Sequence, residues 1–500
     1  MTATVATGKR RIMYNDDGGS IIYLPHRYPM TLDEYYDCVD HLLGTQVDTY
    51  ALCVAATTHL EAGGTVERPK IGSRSATRRA GQNWRHLEGL GIHPPTALLD
   101  RAKGHGLEAI ASLRMNDAHF AYSPEGPEAP GQASQFWREH PECRIDPTVD
   151  TSQVLRGTDV WPRVLYDYSH PLVQELFLQH IEWTFAQCDA DGFELDLLRH
   201  PYFFNPEEAL AKQDVMTDLL KRARQRLDTI GDAKGRTLVL GALVPTGPDR
   251  ARELGLDVLT WIQEGVLDYV VPKHYIEFLM DVPLQDYLVA AEGTRTQVCA
   301  CLENWPEVAA GDPLESFRGA AASYWEQGVD GIYLYNYFNH RPHPHTEADR
   351  HILQEIGDPQ LIRRKDKRFA LTSVDPQESY QLPLVLTGDH RVHFTLGDDV
   401  PTAAAAWSLK SVVLRLEFDN LVIEEDQLEV ALNGAALPGE PFGAPFDEDS
   451  YDFRWLEYDL TRGPWPRKGD NVLGISVRQR CPDIASSLTL TQLEILTKYQ

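Results

Sequence analysis

The sequence predicts an α/β fold: a (β/α)8 TIM barrel followed by a smaller all-β sandwich of jelly-roll kind. Three observations carry that prediction. The chain has 500 residues, too many for one ordinary core and enough for a barrel plus a second domain. Over its first two thirds, short apolar runs alternate with amphipathic stretches, as in a parallel sheet whose strands are joined by helices. After Asp358 that alternation stops, and only short β-type runs separated by turns follow. The expected organisation is a barrel over residues 1–357, a charged connector over 358–369 and a sandwich over 370–500.

In chain order, barrel strands are expected at Arg11–Tyr14, Thr49–Val54, Ala109–Leu113, Gly192–Leu195, Leu238–Leu243, Tyr269–Val271, Gln297–Ala300 and Gly331–Leu334. Helices are expected at Thr31–Leu43, Pro95–His105, His170–Gln187, Asp214–Ile230, Leu254–Glu264, Leu284–Ala291 and Pro313–Gln327. Thr31 with Glu34 three residues on is a capping-box pattern. His170-Pro171 sets a proline at a helix start, where its missing N–H costs little. Leu172, Leu176, Ile181 and Phe185 then fall near one face. Two segments read as long loops at the barrel mouth: Thr57–Pro94, with a basic run from Lys70 to Arg79, and Asp117–Asp167, where Pro and Gly cluster near Trp137 and Trp161. In the C-terminal part, strands are expected at Val392–Leu396, Val412–Phe418, Gln427–Ala431, Trp455–Asp459, Asn471–Val477 and Ser487–Leu496, with Asn433-Gly434 as a turn signal.

Composition excludes several functions. A formal net charge of −27 argues against binding nucleic acid, which needs a basic face, and against docking on anionic membranes. No apolar run approaches the roughly 20 residues that span a bilayer. Met1–Arg11 has no apolar signal-peptide core. The seven cysteines are odd in number and scattered, without a CxxC pair. Reduced thiols and a cytoplasmic location are therefore expected, although a secreted mature form would read the same. No cofactor is expected. A metal site from Asp16, Asp17 and His119 is set aside, because no compact ligand spacing appears.

Barrel active sites lie at the C-terminal ends of the strands, so the residues there are the candidates. The first strand is followed by Asp16 and Asp17, the third by Arg114, Asn116, Asp117 and His119, and the fourth by Arg199 and His200. The sixth leads to Lys273, His274 and Tyr275, the seventh to Glu303, Asn304 and Trp305, and the eighth to Tyr335 and Asn336. On the fourth strand, Glu194 and Asp196 alternate with Phe193 and Leu195, so both acids face one side, the lumen. Two carboxylates there must be paired, hydrogen-bonded or protonated. Like charges also push one pKa up, which suits a general acid. Glu303, across the barrel, supplies a second carboxyl group. Two carboxyl groups flanking a bond are what glycoside hydrolysis needs. Trp305, Tyr275, Tyr335 and Trp161 are candidate platforms for sugar rings, and Asn116, Asn304, Asn336 and His274 candidate hydrogen-bonding partners. Plainer readings stand beside these: Glu194 as an anchor for Arg114 or Arg199, Asp196 as a purely structural residue, Glu303 as a solvated loop residue, Asp16 and Asp17 as turn formers.

Tyr166-Asp167-Tyr168-Ser169-His170-Pro171 leads a helix into Asp191-Gly192-Phe193-Glu194-Leu195-Asp196. With Tyr14-Asn15-Asp16-Asp17-Gly18 and the stretch from Leu256 through Trp261 to Asp268-Tyr269-Val270-Val271-Pro272, the first two thirds of the chain resembles the family 10-like glycosylhydrolases, TIM-barrel proteins. The resemblance implies an acid/base from the fourth strand and a nucleophile from the seventh. The fourth strand here offers two acids, Glu194 and Asp196, rather than an Asn-Glu pair, which leaves their roles open.

The expected function is hydrolysis of O-glycosidic bonds in a poly- or oligosaccharide, with Glu194, Asp196 and Glu303 as catalytic candidates. The cations Arg114, Arg199, His200, Lys273 and His274 at the mouth extend that expectation to uronic or sulfated sugars. The same cations have a plainer role in neutralising Glu194 and Asp196. Alternatives are a polysaccharide lyase, with Lys273, His274 or Tyr275 as base, and a carbohydrate-binding protein without catalysis. The sandwich, carbohydrate-binding-like by pattern, could bind glycan, cap the barrel or join a homo-oligomer.

Overall fold

The computed structural model describes residues 10–16, 18, 27–66, 75–117, 133–145, 164–274, 278–303, 312–337, 347–372, 381–437, 442–443 and 453–500. Contacts divide the chain into two compact units, one drawn from Met1–Ile276, Pro283–Asn304 and Asp330–Leu353, the other from Glu277–Val282, Trp305–Val329 and Gln354–Gln500. Among the described residues, no helix is long and apolar enough to cross a membrane.

The first unit holds the barrel. Strands β1 (Ile12–Asp16), β2 (Val47–Ala56), β3 (Glu108–Arg114), β4 (Gly192–Asp196), β5 (Val239–Pro245), β6 (Tyr269–Lys273), β7 (Gln297–Glu303) and β8 (Gly331–Tyr335) close in chain order, all parallel, with β1 pairing β8. All the expected strands are present. Each runs one to three residues beyond its expected C-terminal end.

Alternation along the strands fills the lumen in tiers. Lowest is a polar layer. Arg10 donates to both oxygens of Glu108 at 2.7 Å and to Gln297 at 2.5 Å, while the Thr49 hydroxyl donates to Glu108 at 3.0 Å. Above it lies a buried cluster that includes Met13, Leu243, Tyr269, Cys299, Cys301 and Tyr333. Gly241 makes this tier possible. A Cβ there would sit 1.9 Å from Cζ of Tyr269, so only glycine leaves room for that ring.

The helices follow the sequence signals with two corrections. Thr31 forms the expected reciprocal capping box with Glu34 on the helix Leu32–Asp40. Pro171 opens Pro171–Gln187. The helix expected over Leu254–Glu264 is shorter, Val258–Gln263, and a separate helix, Pro248–Glu253, precedes it. Between them Gly255 takes φ +82, where a Cβ would meet the Phe204 ring at 2.7 Å. The stretch read as a loop over Thr57–Pro94 contains a helix, Ser75–Gly89. Its polar composition hid it. Few of its residues are apolar, and buried Asn83 holds the chain before the first helix by accepting from Met30 N–H and donating to Arg27 C=O. In the other long segment, the described residues form the short helix Gln135–Glu139 and the turn Pro141–Cys143.

The second unit carries two antiparallel sheets, as the sandwich expectation requires. One has the order β10 (Leu384–Val385), β18 (Thr489–Tyr499), β12 (Leu409–Asp419), β16 (Phe453–Asp459), β15 (Phe442–Gly443), with β9 (Lys367–Thr372) also on β18. The other runs β11 (Asp389–Leu396), β17 (Gly469–Gln479), β13 (Gln427–Leu432), β14 (Ala435–Ala436). On β12, Val412, Leu414, Leu416 and Phe418 are buried and their neighbours half-exposed, the period of two read from the sequence. Asn433 and Gly434 turn β13 into β14 with φ of 51 and 81, a pair of left-handed residues suited to a two-residue hairpin. The segment expected as a connector holds the helical turn Pro359–Ile362 and the start of β9.

Candidate active site

Six of the residues singled out by sequence, Asp16, Arg114, Asp196, Lys273, Glu303 and Tyr335, are the last residues of their strands. Being last does not give them one role, because strand alternation aims them differently.

Four of them form a connected group. The Tyr335 hydroxyl donates to Asp196 Oδ2 at 3.0 Å. Lys273 Nζ stands 3.9 Å from the centre of the Tyr335 ring and donates to Glu303 Oε2 at 2.9 Å. Asn336 Nδ2 reaches Glu303 Oε1 at 3.4 Å. Asp196, Glu303 and Lys273 are each no more than 5% exposed. Burial alone would lower the Lys273 pKa, but the Glu303 charge overrides it, with help from Asp196, and holds the ammonium above its ordinary value. Lys273 thus feels both carboxylates, one on β4 and one on β7. The second oxygen of Asp196 accepts from Leu198 N–H at 2.9 Å, which fixes the carboxylate. Asn336 turns the chain out of β8 with φ 52, a conformation asparagine tolerates better than most residues.

Glu194 lies one tier deeper and differs in kind. It is fully buried, and its two oxygens accept from Tyr269 at 2.8 Å and Tyr333 at 2.9 Å. Ser112 adds a third hydroxyl donor. Burial pushes its pKa up to about 7, against those hydrogen bonds and with a further push from the Asp196 charge. No salt bridge to Glu194 appears among the described residues, so the anchoring role toward Arg114 or Arg199 is replaced by one toward hydroxyls. Arg114 pairs with Asp117 at 2.8 Å, and His200 Nδ1 stands 3.5 Å from the other Asp117 oxygen. Arg199 is half-buried and His274 buried.

Two candidates are occupied elsewhere. Asp16 accepts from the Tyr50 hydroxyl at 2.9 Å and from Gly18 N–H at 3.0 Å, forming the turn that was its plainer reading. Asn116 donates to Tyr166 C=O at 3.0 Å and Tyr202 C=O at 2.7 Å and accepts from Tyr166 N–H at 3.1 Å. It ties two loops together. Asp17, His119, Trp161, Tyr275, Asn304 and Trp305 lie outside the described residues.

Sequence reasoning passed over Asn15. It shares the lumen side of β1 with Met13, two residues before it. It is buried, and its Oδ1 has no partner among the described residues. Asn336 Oδ1, on the neighbouring strand's end, is in the same state. Parity with Met13 was the available signal, and it picks Asn15 over Asp16.

The chain matches no family model and no curated protein. Solved structures similar to it include a cycloisomaltooligosaccharide glucanotransferase from Paenibacillus sp. (12% identity, TM-score 0.37), with 97% of this chain and 57% of that one covered. A family 36 alpha-galactosidase from Geobacillus stearothermophilus gives 14% and 0.39, over 91% of this chain and 56% of that one. A group IV chitinase from Ostrinia furnacalis gives 11% and 0.37, over 68% of this chain and 97% of that one. The chain therefore spans little more than half the length of the first two. Likeness of this size bears on neither substrate nor mechanism.

Proposed function

We propose that the protein is a glycoside hydrolase that cleaves O-glycosidic bonds of a poly- or oligosaccharide, with Glu303 and Asp196 as its working carboxyl groups. The observation that carries this reading is the chain of contacts Asp196–Tyr335–Lys273–Glu303, which brings acids from β4 and β7 together at the C-terminal ends of their strands. Glu303, which accepts from Lys273 Nζ at 2.9 Å, serves as nucleophile or as base toward water. Asp196 gives a proton to the leaving oxygen as the bond from the anomeric carbon to that oxygen breaks. Either water that Glu303 deprotonates attacks that carbon directly, or Glu303 attacks it and water, giving its proton to Asp196, then breaks the glycosyl–Glu303 ester and frees the carboxylate. Glu194 is too enclosed by hydroxyl donors to reach a substrate and supports the pair from below.

A lyase with Lys273 as base is disfavoured, because Glu303 raises the Lys273 pKa and keeps it protonated. Lys273 and Arg114 are each engaged with a carboxylate of the chain. A uronate or sulfate would have to compete with Glu303 or Asp117 for them, so a neutral sugar is the better fit.

The test is chromatography of products from a panel of neutral and acidic oligosaccharides. Cleavage of a neutral member is expected, lost by about 10²–10⁴-fold in Glu303→Gln and Asp196→Asn. Full activity in both variants, or products absorbing in the ultraviolet as unsaturated sugars do, would overturn the proposal.

A further inference from the structure

A second cluster of reactive side chains lies in the segment after the helix Gln135–Glu139, and it shares no residue with the carboxylate pair. Two stretches of backbone build it. Residues 143–145 and 165–167 run antiparallel: Ile145 N–H donates to Leu165 C=O at 3.0 Å, Asp167 N–H donates to Cys143 C=O at 2.9 Å, and Arg144 bridges Tyr166. That pairing brings Cys143 to the start of the helix Pro171–Gln187. His170, the residue that begins this helix, places Nδ1 3.4 Å from Cys143 Sγ. Upstream, Pro141 starts the turn Pro141–Cys143, which folds His140 and Glu142 back over the thiol. His140 Nδ1 stands 2.8 Å from Glu142 Oε1. Ligand atoms of His140, Glu142 and Cys143 lie within 4.8 Å of one another. The Phe136 ring packs on the His140 imidazole at 4.4 Å between centroids.

We propose that His140, Glu142, Cys143 and His170 bind one divalent transition-metal ion, zinc before others. One thiol, two imidazoles and one carboxylate form the borderline-soft set that zinc takes at tetrahedral sites. Calcium and magnesium, which take oxygen ligands, are excluded by the same set. Bonds of about 2.0–2.3 Å put tetrahedral ligand atoms roughly 3.3–3.8 Å apart. For His140, Glu142 and Cys143, whose ligand atoms lie within 4.8 Å of one another, that spacing needs only side-chain rotation; His170 lies outside this group of three, 3.4 Å from Cys143 Sγ, and its ring must swing toward the other two to complete the set. On binding, the Cys143 thiol gives its proton to solvent and its sulfur takes the metal. The ion would then pin residues 133–145 to the helix at Pro171. The sequence signature is His-x-Glu-Cys with a distant His before a helix proline, which matches neither a paired-cysteine nor a paired-histidine spacing.

The experiment is a cobalt(II) titration of the full chain after treatment with a chelator. Uptake of one cobalt per chain is expected, with a thiolate-to-cobalt charge-transfer band that equimolar zinc abolishes. Cys143→Ser should remove the band, and His170→Ala should weaken binding by roughly tenfold or more. Should Cys143→Ser fail to fold, Glu142→Gln, on the more exposed ligand, is expected to keep the band and bind more weakly. No thiolate band in the intact chain, a band that survives Cys143→Ser, or affinity unchanged in both His170→Ala and Glu142→Gln would overturn the proposal.

Discussion

Glu194 and Asp196 stand two residues apart on one strand, face the same lumen and are both buried, yet they live in different chemistry. The deeper one is surrounded by hydroxyls and has its pKa raised to about 7. The upper one is held by one hydroxyl and one backbone N–H, in a group that also contains a lysine and a second carboxylate. In a packed barrel, depth along the strand decides which partners a carboxylate meets. The lower tier is closed by Tyr269 and Tyr333, while the upper tier ends where the strands end.

The largest effect is expected where the upper tier depends on charge. Lys273→Met would strand Glu303 in a buried position, at a cost of about 3–5 kcal/mol in denaturant unfolding at neutral pH. A loss below about 1 kcal/mol would mean that solvent already supports Glu303.

The lower tier should speak through pH. Glu194 titrates near 7 in the folded chain against an ordinary 4.5. Between those values the native state keeps a proton that the unfolded chain has released, so stability falls as pH rises through that window. The fall is on the order of 3 kcal/mol. Glu194→Gln should flatten that part of the stability curve, and an unchanged slope would place the titration elsewhere.

Asn116→Ala removes three hydrogen bonds that join two loops. It should cost roughly 2 kcal/mol of stability while leaving turnover per folded molecule nearly intact. A selective loss of turnover would return Asn116 to the site. The smallest effect is expected from Tyr335→Phe, which deletes one hydroxyl from Asp196. Stability should fall by about 1 kcal/mol and kcat/KM on a cleaved oligosaccharide by about threefold to tenfold. An unchanged kcat/KM would detach Tyr335 from the acid.

Much of this was legible in the sequence. The eight strands announce themselves as apolar runs, and the alternation of Phe193, Glu194, Leu195 and Asp196 fixes which side the acids face. The strand ends were less legible, because an apolar-run reading stops at the first polar residue. Lys273 and Glu303 end their strands as a buried ion pair, which an apolar-run reading does not see. Depth was not legible at all. Nothing local to Glu194 says that tyrosines from β6 and β8 will close over it, since that depends on Gly241 yielding space to the Tyr269 ring. The same holds for Asn116: nothing local to it says that it will bond the backbone of Tyr166 and Tyr202.

The most direct measurement compares kcat/KM of Asp196→Asn, Glu303→Gln and Glu194→Gln on one cleaved oligosaccharide, each variant checked for native circular dichroism. The two upper-tier variants should lose about 10²–10⁴-fold, and the Glu194 variant no more than about tenfold. A folded Glu194→Gln chain as inactive as the other two would contradict the division between tiers.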